Sequence, residues 1–276
     1  MGRTRSAGEK ASHRHVSLGV WGAYGGVVAQ CIEVENISYE YDSGVGRVMA
    51  VSGVSFSVPP ARFLCVLGPS GCGKTTILHM LAGFLRPSQG QIRIDGKAVA
   101  GRGQDRGIVF QDFAQLFPWR TARRNVEFGL EVRRVPAQER RETALRFLEL
   151  VQLEKFADAY PHQLSGGMQQ RVAIARALAY NPGVLLMDEP FAALDAMTRD
   201  EMQKQLTEVW QKTRKTVVYI THNVTEAVYL ADEVIVLAAR PGTVKARLPL
   251  DLARPRDPLS NEFVAMQREV LRHLTG

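Results

Sequence analysis

The stretch "LCVLGPSGCGKTTILHMLAG" (Leu64–Gly83) decides the architecture of this chain. Its first four residues are apolar and predict a buried strand, and Ile77–Ala82 predict a helix that stops at Gly83. Between them lies a glycine-rich turn that runs into Lys74 and Thr75. Strand, glycine-rich loop, Lys-Thr and helix, in that order, form the context that a phosphate-binding loop requires. Gly68, Gly71 and Gly73 let the backbone turn its N–H groups inward, where side chains would block close approach. Pro69, Ser70, Cys72 and Thr76 complete the candidate nucleotide-binding loop. The positive end of the helix, with the point charge of Lys74, suits the β- and γ-phosphates, and the Thr75 hydroxyl suits Mg2+. A purely structural turn is the competing reading; the matched strand and helix argue against it.

Outward from this loop, strands and helices alternate. Ile32–Tyr41 and Val48–Val58 read as strands around an Asp42-Ser43-Gly44 turn. "GQIRIDGK" (Gly90–Lys97) alternates and turns at Asp95-Gly96, a hairpin-like signal, and Gly107–Gln111 is another short strand. From Ala122 to Tyr160 the pattern is helical and charge-rich, with Ala144, Leu145, Leu148 and Val151 at helical spacing. Strands return at Val184–Met187, Thr216–Ile220 and Glu233–Leu237, each preceded by a helix. The pattern is an α/β core interrupted by a mostly helical insertion.

The 276 residues suffice for one large domain or two small ones. The net charge of +7 is concentrated at the two ends of the chain, without the basic face and interleaved aromatics of a nucleic-acid binder. Cys31, Cys65 and Cys72 show neither metal-ligand nor redox spacing, which fits a reducing compartment. Val16–Ile32 lacks formal charge but is glycine-rich and shorter than the roughly 20 apolar residues of a membrane span. Residues 1–30 are therefore expected to be a flexible leader.

A second chemical stretch is "GVLLMDEP" (Gly183–Pro190), an apolar strand ending in two carboxylates. In sheets of this type ligands gather at the carboxyl ends of strands, so Asp188 emerges beside the phosphate loop as a candidate Mg2+ ligand. Glu189, one residue on, points away from Asp188 and is a candidate general base for water. A third is "LSGGMQQRVAIARAL" (Leu164–Leu178), where Ser165, Gly166 and Gly167 open a long helix and create a second anion site. Two anion sites in one fold are redundant unless the second serves the nucleotide of a neighbouring subunit.

With "LSGGMQQR" beside the phosphate loop and "LLMDEP", the chain resembles the ATP-binding-cassette ATPases, the nucleotide-binding subunits of ABC transporters. The resemblance covers roughly residues 31–250. It implies an α/β fold with a RecA-like core, an antiparallel β subdomain and a helical subdomain inserted at about residues 112–165, leaving 251–276 as a C-terminal tail. It implies ATP and Mg2+ as cofactors and catalysis by Lys74, Glu189, His222 in "YITHN" and Gln111 in "VFQDF". The glutamine is also expected to touch the metal and link it to the membrane partner. Asp195 in "AALD" matches a loop that crosses a dimer, and Tyr41, with Tyr39 second, matches the aromatic that stacks on adenine. Ala192, Ala193 and Asn223 depart from common family residues without touching phosphate.

"LFPWRTARRNVEFGL" (Leu116–Leu130) and "THNVTEAVYLADEVIVLAARPGTV" (Thr221–Val244) resemble the nitrate, sulfonate and taurine importer branch. The implied partners are a second copy, which sandwiches two ATP molecules, integral-membrane permease subunits and, indirectly, an external solute-binding protein. The implied location is the cytoplasmic face of the cell membrane. Phe113, Leu116, Phe117 and Trp119 are candidates for an apolar permease-docking surface, with filling of the insertion's own core as the alternative. Competing functions are a soluble ATPase of the same type acting on nucleic acid or ribosomes, and a kinase; the latter has no place for the 164–178 helix.

Overall fold

The computed structural model describes residues 29–42, 44, 46–111 and 115–275. Almost all of the expected leader, and Phe113, lie outside the described residues. The phosphate-loop strand β3 (Phe63–Leu67) is buried at every position and sits inside a six-stranded sheet. Its neighbours are β8 (Thr216–Thr221) and β9 (Glu233–Leu237); β7 (Val184–Asp188) and β6 (Arg106–Val109) extend the sheet beyond β8. All of these pairings are parallel, and β7 and β8 are also buried throughout. Near-continuous apolar runs are what a parallel sheet covered on both faces demands. The far edge is β10 (Val244–Pro249), antiparallel to β9, which the sequence pattern did not reveal because half its residues face water.

A second sheet, antiparallel and ordered β2-β1-β4-β5, comprises β1 (Ile32–Asp42), β2 (Arg47–Val58), β4 (Gln89–Ile94) and β5 (Lys97–Ala98). The alternation of β3 divides the interior. Leu64 and Val66 join Ile32, Val54, Phe56 and Ile92 of the antiparallel sheet and Ile77 and Leu81 of helix α1 (Lys74–Ala82). Phe63, Cys65 and Leu67 face the larger core under helices α4 (Gly166–Ala179), α5 (Ala196–Thr213) and α6 (Val224–Leu230). The phosphate loop is thus fixed between two packed layers.

The insertion holds α2 (Ala122–Val132) and α3 (Ala137–Leu150), both packed against α4. Ala144, Leu148 and Val151 are buried as the spacing predicts. Residues 251–276, expected as a tail, contain α7 (Asn261–Thr275), which buries Phe263 and Val270. Ahead of it, the buried Arg256 guanidinium donates to the carbonyls of Tyr229 and Ala231, supplying partners to the C-terminal end of α6. No helix among the described residues is long and apolar enough to cross a membrane.

Candidate nucleotide-hydrolysis site

Gly71 and Gly73 adopt φ values of +76° and +88°, a left-handed backbone that a side chain would strain. A Cβ on Gly73 would lie 2.7 Å from the Ala50 carbonyl oxygen, so β2 enforces the glycine sterically as well. Helix α1 therefore begins without a side-chain cap. The amides of Gly71, Gly73 and Thr75 make no backbone–backbone hydrogen bond among the described residues, and that of Lys74 meets the Cys72 thiol, which leaves donors facing outward at a positive helix end. Lys74 is buried, and its Nζ donates to the carbonyls of Gly68 (2.8 Å) and Pro69 (3.0 Å). Burial pushes the Cys72 thiol above its ordinary pKa, so this loop cysteine stays protonated.

At the end of β7, the Thr75 hydroxyl donates to Asp188 Oδ1 at 3.3 Å, bringing two hard oxygen donors together. Burial raises the Asp188 pKa, opposed chiefly by that hydrogen bond. Strand alternation sends Glu189 away from Asp188, but the structure corrects this. Glu189 has φ +41°, and this left-handed step returns its carboxylate to the same cleft. Its Oε1 lies 3.7 Å from Lys74 Nζ and its Oε2 lies 2.8 Å from His222 Nδ1. The Glu189 amide donates to the Ile220 carbonyl at 3.0 Å, which anchors the turn to β8. A phosphate-loop lysine, an acidic residue and a strand-end histidine are thereby joined in one chain of contacts.

The Tyr41 hydroxyl is 3.2 Å from Thr76 Oγ1, while the residue as a whole remains 42% exposed. Tyr39 meets the Tyr41 ring edge-on at 4.9 Å and packs partly into the smaller core. Gln111 is exposed just beyond β6 and has no hydrogen bond to the other site residues. Ser165 and Asp195 each cap a helix of their own: Ser165 accepts from the Met168 amide (3.3 Å) and Asp195 from the Thr198 amide (3.0 Å). No hydrogen bond or ion pair among the described residues joins Ser165, Gly166, Gly167 or Asp195 to Lys74, Asp188, Glu189 or His222. Within one chain they form two separate groups.

Three residues of this region escaped the sequence reading. Arg240, in "AARPGTV", places its guanidinium about 4 Å from where a Gly71 Cβ would stand. Arg199 and Glu226 form a pair at 3.7 Å beneath the strand ends. For Glu226 a signal existed: Asn223-x-x-Glu226 is a capping-box pattern, and Asn223 Oδ1 does accept from the Glu226 amide.

A family model described as ABC transporter matches residues 51–192, from β2 through the turn after Glu189. The chain belongs to the ABC transporter family. This cassette is 50% identical over 224 residues to the taurine import ATP-binding protein TauB of Rhizobium johnstonii, covering 81% of this chain and 85% of that one. It is 44% identical over 238 residues to the nitrate import ATP-binding protein NrtD of a Synechocystis species, covering 86% and 89%. Among solved structures it is similar to the dimeric post-hydrolysis state of the cassette MJ0796 bound to ADP and Pi. The TM-score is 0.70 at 34% identity, covering 80% of this chain and all of that one. The α/β cassette fold and the ATPase class both follow from this membership.

Proposed function

We propose that this cassette hydrolyses ATP to drive uptake of a small anionic solute, such as nitrate, an aliphatic sulfonate or taurine, through a separate permease. The observation that carries the hydrolytic reading is the linked set Lys74–Glu189–His222 at the mouth of the phosphate loop. The loop amides and Lys74 bind the β- and γ-phosphates, and Tyr41 presents its ring to adenine. Thr75 and Asp188, already hydrogen-bonded to each other, fit Mg2+, which would neutralise phosphate charge, and Gln111 would join them in holding it. Glu189 accepts the proton of the attacking water, and His222 contacts the γ-phosphate.

Two copies enclose two ATP molecules head to tail, each Ser165-Gly166-Gly167 facing the phosphate loop of the other copy, with Asp195 on the crossing loop. The dimeric state of the MJ0796 neighbour and the separation of the two residue groups within one chain support this arrangement. The solute class is supported by relatives named for taurine and nitrate import. Permease subunits, fed by an external solute-binding protein, hold the cassette at the cytoplasmic face of the membrane, with Trp119 in the contact.

The test is reconstitution in proteoliposomes with a cognate permease and solute-binding protein. ATP turnover is expected to rise several-fold with one of taurine, nitrate or an alkanesulfonate. Unchanged turnover with all three overturns the solute class, and absence of ATP hydrolysis overturns the reading itself.

A further inference from the structure

The loop leaving β7 and the loop leaving β8 are tied together beneath the site by an ion pair that none of the roles above uses. Arg199, in the first turn of α5, donates from Nη2 to the Leu194 carbonyl (2.8 Å) and from Nε to the Phe191 carbonyl (3.4 Å). The same guanidinium lies 3.7 Å from Glu226 Oε1. Glu226 is 4% exposed, and its Oε2 accepts from the hydroxyls of Thr221 (2.6 Å) and Tyr219 (3.2 Å). Thr221 Oγ1 in turn accepts from the Asn223 amide at 3.0 Å, and Asn223 Oδ1 accepts from the Glu226 amide at 3.2 Å. Of the two chain neighbours of His222, Thr221 is therefore held by the Glu226 carboxylate, and Asn223 by the Thr221 hydroxyl and the Glu226 backbone amide. That carboxylate faces the guanidinium that donates to the carbonyls of Phe191 and Leu194.

Stability alone is a weak reason for such a pair, because the partly exposed Arg199 is screened by water and the buried Glu226 carries a desolvation cost that the pairing offsets only in part. Burial raises the Glu226 pKa, and Thr221, Tyr219 and Arg199 oppose it in that order. What the arrangement does is fix geometry. We propose that Arg199 and Glu226 are positioning residues that lock the Phe191–Asp195 loop to the His222 loop, so that displacement of one is felt by the other. The inference rests on the hydrolytic reading of Glu189 and His222. Because Asp195 closes the first of these loops, engagement of a second copy there would be transmitted to the histidine of this one.

The experiment uses the full chain with Glu226→Gln, which keeps hydrogen-bonding capacity but removes charge, and Arg199→Lys, which keeps charge but removes the fork. The double variant completes a cycle. Phosphate release gives kcat and KM, a fluorescent ATP analogue gives Kd, and thermal melting reports folding. Each single variant is expected to lower kcat about 10- to 100-fold, as a misplacement of reacting groups by about 1 Å does. Kd should stay within about twofold, and the double variant should fall no further than the worse single, the mark of residues acting as one unit. Parent kcat in either folded single variant overturns the inference, as does a double equal to the product of the singles, or nucleotide affinity falling as far as kcat. Arg199→Lys, at a partly exposed position, keeps the test open should Glu226→Gln not fold. Glu189→Gln is the control: if it hydrolyses ATP at the parent rate, the hydrolytic reading fails instead.

Discussion

Glu189 and His222 leave neighbouring parallel strands and meet at 2.8 Å, Oε2 to Nδ1. The bond orients the imidazole, whose other nitrogen has no partner among the described residues, and it fixes the carboxylate that also faces Lys74. On the proposed function, this short contact would set the acceptor of a water proton beside a group that reaches phosphate.

Replacing Glu189 by Gln keeps the shape and removes the proposed base. Steady-state phosphate release should fall about 100-fold or more, the usual contribution of a positioned general base. ATP affinity should be retained, and light scattering should show a dimer that persists in ATP. Turnover at the parent rate would remove Glu189 from the reaction.

Tyr41 is exposed, whereas Tyr39 is partly packed into the core. Tyr41→Ala should therefore weaken ATP binding by about 1–3 kcal/mol, the scale of base–aromatic stacking. Tyr41→Phe loses only the Thr76 contact and should bind within about threefold of the parent. Equilibrium titration with a fluorescent ATP analogue distinguishes the two, and a larger loss from Tyr39→Ala would reverse the assignment.

Trp119 is 71% exposed, stacked obliquely on Phe117 at 5.6 Å. Leu116, by contrast, is buried in the larger core, so of the expected docking residues it is a packing residue. Trp119→Ala should leave the isolated cassette's ATPase rate unchanged while weakening permease co-purification by about 2 kcal/mol or more, as loss of an aromatic anchor does. Undiminished assembly would show that this ring is not part of the contact.

Lys215 is 3% exposed, donates to Asn181 Oδ1 at 2.7 Å, and burial lowers its pKa from 10.5 to about 8. The unfolded chain therefore binds more protons than the native one between about pH 8 and 10.5, and stability should rise with pH across that window. Compared with Lys215→Met, the parent should gain on the order of 3 kcal/mol from the low to the high end. Denaturant titrations at both ends measure it; parallel pH profiles for the two proteins would contradict the shift.

Much of this fold is written in short-range signals. The glycines, Lys74 and the apolar run before them define a strand, loop and helix without outside help, and period-3.6 spacing places Ala144 and Leu148 in a core. Legibility fails where geometry depends on distant atoms. Strand alternation turned Glu189 the wrong way because its direction is set by a left-handed backbone step tied to Ile220 of another strand. The apparent tail concealed α7 because its buried stripe is narrow, essentially Phe263 and Val270. Arg199 and Glu226 are 27 positions apart in the sequence, and nothing local announces that they face each other.

Ser165 and Asp195 each satisfy the first turn of their own helix. Should these two residues meet nucleotide and neighbour only in the closed assembly, a solitary copy would still carry no raw helix end at either place. Separation would then demand no refolding, and subunits could part and rejoin at every turn of the cycle with the cost confined to surface that both leave to water.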